Sequence, residues 1–233
     1  MDYFRNIVVV AILAGVIAGT GMTIAQHFAT VPLILKAESY EGEGTSEPAH
    51  DHGAAAAAHE HDHGGWQPSD GFERAFFSFL ANIVTGIGFA LLLVATSELF
   101  GGIKDWRQGV FWGLAGFAAF TLAPGLGLPP ELPAMPAAEL GPRQLWWVAT
   151  VLATAVALGL LFYQRSFPAV IAAIALLVAP HLIGAPQPAS YGTPIPEGLH
   201  HSFVVAVVLS TLLFWLLLGG LAGLFRERFI PAR

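Results

Sequence analysis

The residues of this chain best suited to chemistry are its nine histidines, and a single threading through a membrane puts all of them on one face. Imidazole is a preferred ligand of divalent transition metals, so a one-sided imidazole face points to a protein that gathers metal ions. Five of the nine lie in A-H-D-H-G-A-A-A-A-A-H-E-H-D-H-G-G: His50, His52, His59, His61 and His63, interleaved with Asp51, Glu60 and Asp62. Glycine and alanine give this segment no core to fold around, which predicts a mobile loop. His-x-His spacing in such a loop lets two or three imidazoles converge on an ion without fixed geometry, so the loop collects metal without selecting it. A polar low-complexity spacer is the alternative.

Shorter motifs close the apolar runs. Q-H-F-A-T-V-P-L-I-L-K-A-E-S-Y-E carries Gln26, His27, Glu38 and Glu41, and A-P-G-L-G-L-P-P-E-L-P carries Glu131. G-P-R-Q-L-W-W carries Arg143, Gln144, Trp146 and Trp147; A-P-H-L-I-G-A-P carries His181; E-G-L-H-H carries Glu197, His200 and His201. Broken backbone near a membrane survives where it is buried in protein or lines a wet cavity, so these Pro and Gly breaks outline a vestibule. Rigid hairpin turns are the competing reading.

His181 is the sharpest single candidate, because an ionisable group at the end of an apolar span is costly; a satisfied structural histidine is its alternative. The loop after it could bring His200 or His201 close. Two imidazoles with Glu131, Glu197 or Glu38 would make a nitrogen and oxygen site for Co(II), Ni(II) or Zn(II). Gln26 offers a carbonyl oxygen, while the adjacent His27 points roughly 100° away on a helix, so one of the two faces any given cavity. Arg143, Trp146 and Trp147 read as an interfacial anchor. Glu98, on the opposite face, reads as an exit carboxylate or as an interfacial group near Lys104 and Arg107.

The elements that hold these residues are membrane helices. With 55% hydrophobic and 11% charged residues in 233, and a mean hydropathy of +0.64, the chain is too apolar for an ordinary soluble domain. Six runs are long enough to cross a hydrocarbon core of about 30 Å: Ile7 to Phe28, Phe76 to Leu99, Val110 to Leu128, Leu145 to Tyr163, Phe167 to Ile183 and Phe203 to Phe225. The fifth is the shortest and is bracketed by Pro168 and Pro180, so a re-entrant segment stays open. The first reads as an uncleaved helix, since no small-x-small cleavage site is evident.

The expectation is an all-α polytopic membrane bundle of about six transmembrane helices. Residues 1–35 form the first helix and its outer extension, 36–75 the His-rich flexible outer loop, and 76–233 five further helices with Pro/Gly-rich outer loops.

Arg5, Lys104, Arg107, Arg165, Arg226, Arg228 and Arg233 fall on one side, and Lys36, Arg74 and Arg143 on the other. That bias predicts cytoplasmic termini and an outward-facing, acidic, imidazole-rich surface. No cysteine is present, so thiolate sites, disulfides and iron–sulfur clusters are excluded, and three methionines do not make a Cu(I) path. No phosphate-binding G-x-x-x-x-G-K-[ST] and no H-E-x-x-H occurs, which argues against ATP hydrolysis by a P-loop and against a metallohydrolase. Pairs at i, i+4 spacing (Gly15 and Gly19, Gly109 and Gly113, Gly219 and Gly223) predict close helix packing.

Taken together, A-G-V-I-A-G with Gln26, P-L-I-L-K-A-E-S-Y-E, the His-rich loop, G-L-P-P-E-L-P, R-Q-L-W-W and P-H-L-I-G-A-P make the chain resemble the CbtA family of predicted cobalt transporter subunits, over nearly its whole length. The resemblance implies a multi-pass protein of the bacterial inner membrane that takes up Co2+, with a small single-span CbtB-like partner, no permanently bound cofactor and no nucleic acid. It carries over Gln26, Glu38, Glu41, Glu131, Arg143, Gln144, His181, Gly184 and Pro186. Ni2+ and Zn2+ stay open as cargo, since the Irving–Williams order does not favour cobalt. A metal-presenting or sensory subunit that transports nothing is the alternative.

Overall fold

The computed structural model describes residues 2–43, 68–164 and 166–230, and all the regular structure in them is helical. His50, His52, His59, His61, His63 and the side chain of Glu41 lie outside the described residues. In order, the elements are α1 (Asp2–Ala29), α2 (Val31–Glu43), α3 (Phe72–Leu99), α4 (Trp106–Phe117), a π-helical turn (Ala118–Leu122), α5 (Ala123–Gly125), α6 (Leu140–Tyr163), α7 (Phe167–Ile183) and α8 (Glu197–Phe229).

Four of these, α1, α3, α6 and α8, are long and apolar enough to cross a membrane. The 17 residues of α7 cover about 26 Å at ~1.5 Å each, slightly less than a hydrocarbon core of about 30 Å. The expected third crossing is divided between α4, the π turn and α5. Its break has a local cause: Pro124 has no N–H to offer, and its ring crowds the carbonyl one turn earlier, which a widened turn relieves.

Lipid tails are as apolar as leucine, so helices in a bilayer associate by close packing rather than by burial from water. The glycines supply that closeness. α1 runs along both α3 and α8, and α4 packs on α8. A Cβ at Gly19 would lie 2.6 Å from the Asn82 carbonyl oxygen, and one at Gly15 would meet the backbone of Gly86 and Ile87. On the other seam Gly109 and Gly113 of α4 face Gly219 and Gly223 of α8 at backbone contact. All three glycine pairs read from the sequence therefore sit in helix seams. Val10, Ala11, Ala14 and Ala18 of α1, Ala90 and Val94 of α3, and Leu218 and Ala222 of α8 fill the space between. α6 and α7 form a hairpin that meets this four-helix unit mainly through the π turn and α5. Faces rich in exposed Leu, Ile and Val, such as Leu152, Val156, Ile171 and Ile174, are left for lipid.

The two ends of the unit differ. At one, Arg226 of α8 pairs with Glu98 of α3 (Nε to Oε1, 2.5 Å) and donates to the Ile103 carbonyl at 2.6 Å. Tyr3 of α1 donates to the same carboxylate. Gly102, at φ +73, leaves the room the guanidinium needs, since a side chain there would collide with it. Glu98, read as an exit carboxylate or an interfacial group near Lys104 and Arg107, thus pairs with Arg226. At the other end a second small core joins α2 to the chain after α5 and to the start of α8, through Ala37, Leu132, Ile195, Leu199 and Phe203.

Candidate metal-handling site at the α2 end

α1 ends in a polar cluster. The Asn82 amide of α3 donates to Gln26 Oε1 at 2.6 Å and to Thr23 Oγ1 at 3.0 Å. Gln26 therefore faces the bundle, and His27 is exposed with its ring edge-on to Phe28 at 5.1 Å between centroids. That division follows from their adjacency on a helix. Thr30 closes α1 by donating to the Gln26 carbonyl at 3.2 Å and accepts from Leu33 and Ile34 N–H as α2 begins. Pro32 is tolerated there because a helix's first turn leaves its N–H groups without partners anyway.

α2 carries Glu38, which accepts from Arg74 at the start of α3, 2.5 Å away. The Arg74 guanidinium holds the Glu38 carboxyl below the usual carboxylate range. In the chain after α5, Glu131 pairs with Arg143 of α6 at 3.0 Å, both side chains half-buried. His200, in the first turns of α8, lies 3.1 Å from the Pro130 carbonyl. A carbonyl only accepts, so Nε2 carries the proton and donates, leaving Nδ1 as the nitrogen open to a metal.

His181 sits in the last turn of α7, half-buried, edge-on to Trp146 of α6 at 5.9 Å. Trp146 Nε1 donates to the Pro180 carbonyl at 3.1 Å, which pins the end of the hairpin. Gly184, at φ +87, ends α7 in a conformation that side chains avoid. The ring nitrogens of His181 make no hydrogen bond among the described residues, so both stay open to a metal or to water. His201 is exposed at the rim of a groove with Ala29 and Ser202.

Each predicted residue of the described segments thus lies at this end, but they do not converge. Among the described residues no three His, Asp or Glu side chains form a group able to hold a metal. Glu38 and Glu131 are each held by an arginine, and His181 packs on α6 while His200 packs on the Pro130 corner. The expected anchor role of Arg143 and Trp146 is corrected: Arg143 turns to Glu131, and Trp146 is 7% exposed, buried between α6 and α7. Trp146 packs within the hairpin, and Arg143 ties α6 to the chain after α5. Sequence reasoning missed Asn82, the organising amide of the cluster. Its signal was there, since it is a strongly polar side chain inside an apolar span.

This arrangement defines a multi-pass membrane protein with a largely buried ion pair at one end and dispersed amide, imidazole and carboxylate groups at the other. The chain matches, over residues 4–227, the family model described as "Probable cobalt transporter subunit (CbtA)", and it belongs to that family. No curated protein and no solved structure matches it.

Proposed function

We propose that the chain is the permease subunit of a cobalt uptake system, admitting Co2+ at the α2 end of the bundle and releasing it at the Arg226 end. The family match, which spans every helix of the bundle, carries this reading. The Lys and Arg bias supports cytoplasmic termini, hence an outward α2 end in a bacterial inner membrane. The membrane potential then favours inward movement of a dication, by about 2.3 kcal/mol per charge per 100 mV.

In this reading His50, His52, His59, His61 and His63 collect metal. His181, His200, His201 and His27, with Gln26, Glu38 and Glu131, receive it as exchangeable nitrogen and oxygen donors. Weak, successive contacts suit a conduit, which must release what it binds. Co2+ is cargo, with Ni2+ and Zn2+ as competitors, and a small single-span CbtB-like chain is the partner.

A second reading, presentation of the ion to a partner without transport, is favoured by one observation: the candidate ligands are dispersed rather than gathered. Uptake of Co2+ into liposomes carrying the purified chain, with and without its partner, separates the two. Accumulation supports the permease; binding without accumulation supports presentation. Within the permease reading, His181→Ala lowers uptake by about tenfold or more, while deletion of residues 49–64 chiefly raises the Co2+ concentration needed for half-maximal rate. The reverse pattern would exchange their roles.

A further inference from the structure

Below the Gln26 and Asn82 cluster lies a half-open cavity of about 190 Å³ between α1, α3, the π turn and α8. Its polar lining is Asn82, Thr85, Thr121 and Thr211, with Met22 at the side, and no imidazole, carboxylate or ammonium group borders it. The orientation of these groups is constrained. Both amide protons of Asn82 are taken by Gln26 and Thr23, which leaves its Oδ1 as an acceptor. Thr211 gives its hydroxyl proton to the Val207 and Val208 carbonyls, at 2.6 and 3.1 Å, which leaves its oxygen lone pairs as acceptors. The π turn brings Thr121 to the same wall.

Phe89 and Trp215 each lie further toward the Arg226 end than the polar residue before them on the same helix. Phe120 stacks on Trp215 with centroids 5.6 Å apart, and Phe89 abuts both at 5.1 and 5.0 Å. The cavity therefore sets a few oxygen acceptors in a mostly apolar wall, with Phe214 and these three aromatic rings toward its Arg226 side.

Neutral acceptors in an intramembrane space suit a ligand that presents hydrogen-bond donors and positive charge. A divalent cation that keeps its water shell presents just that: polarised water O–H groups all round. With about 30 Å³ per water in the liquid, the cavity holds about six, the complement of an octahedral ion. Uncharged oxygens hold such an ion weakly enough to release it.

We propose that this cavity is the transit site of the bundle. It receives the hydrated dication through second-sphere hydrogen bonds from bound water to Asn82, Thr121 and Thr211, and the Phe89, Phe120 and Trp215 rings part for onward passage. The inference rests on the transport reading and assigns the selective step to neutral oxygens rather than to histidine.

The test uses the full chain in liposomes. Thr121→Val and Thr211→Val each keep the side-chain shape, and each lowers the initial rate of Co2+ uptake at limiting Co2+ by about tenfold; Thr20→Val, outside the cavity, does not. Because the chain has no cysteine, Thr211→Cys supplies a single thiol. Hexaamminecobalt(III), whose inert ammine shell presents N–H donors in place of bound water and is not displaced by a thiol, slows its reaction with a small cationic methanethiosulfonate, and does not slow that of Ala137→Cys on the outer loop. Full uptake by both valine variants, or a thiol that does not react or is not protected, overturns the cavity while leaving wild-type uptake standing. Protection without any wild-type uptake keeps the cavity as a cation site and overturns the transport reading.

Discussion

Glu38 and Glu98 are both carboxylates held by arginine at 2.5 Å, yet their surroundings separate what they contribute. Glu98 and Arg226 are 15% and 11% exposed, so removing one partner strands a charge away from water. Glu98→Gln is expected to cost about 3–5 kcal/mol, read as a fall in the thermal unfolding midpoint of the detergent-solubilised protein. Replacing both members with apolar residues should recover much of it. Glu38 and Arg74 are 31% and 40% exposed, so solvent screening holds that pair to below about 1 kcal/mol, and Glu38→Gln should shift the midpoint little.

The pH dependence of that small term has a definite sign. Arg74 lowers the folded carboxyl of Glu38 below its ordinary value of 4.5. Its stabilisation is therefore complete above that value and is lost as pH falls through the depressed folded one. The midpoints of wild type and Glu38→Gln should converge on acidification below about 4.5; a gap that widened would contradict the pairing.

Helix seams account for tolerance at the next scale. Gly19 and Gly109 have backbone of a neighbouring helix where a Cβ would go, whereas Gly159 on α6 has nothing within 4 Å. Gly19→Ala and Gly109→Ala are expected to destabilise by about 1–3 kcal/mol through overpacking. Gly159→Ala should be neutral or stabilise by up to about 1 kcal/mol through helix propensity. Thermal unfolding of the three variants in one detergent tests the contrast, and equal midpoints would refute the seams.

The same scale shows what the sequence made legible. Phe167 to Ile183 was delimited to the residue, because Pro168 at the start and Gly184 after the end mark its bounds chemically. The longer apolar runs fall on helices that extend past their apolar cores. α8 starts at Glu197 rather than Phe203, since a helix continues into the polar layer as long as its backbone is satisfied. Of α2, residues 31–35 read as an outer extension and 36–43 as part of the flexible loop, because Pro32 and three glutamates mask its pattern; its helix is held by packing on Leu132 and Leu199. The Glu131 and Arg143 pair and the partners of Asn82 are not legible. Each depends on which helices become neighbours, which hydrophobic periodicity does not specify.

For the molecule as a whole, sidedness is the property on which every functional statement depends. A chain without cysteine allows clean single-thiol labelling. In sealed inside-in vesicles an impermeant maleimide should modify Ala137→Cys and Ser190→Cys from outside, and Lys104→Cys only after permeabilisation. Because α6 is itself long and apolar enough to cross, that pattern requires α7 to cross back, giving six spans; labelling of Ser190→Cys from the inside alone would make α7 re-entrant.

The seating of α1 between α3 and α8 has an outcome during synthesis. Its second neighbour, α8, begins only at Glu197, so the alanine and glycine ridge of α1 must wait in the bilayer, half-clothed, until that helix has emerged. Nascent chains arrested before residue 197 would present that ridge to insertion chaperones and to quality-control proteases. Assembly of the bundle is thereby tied to completion of α8.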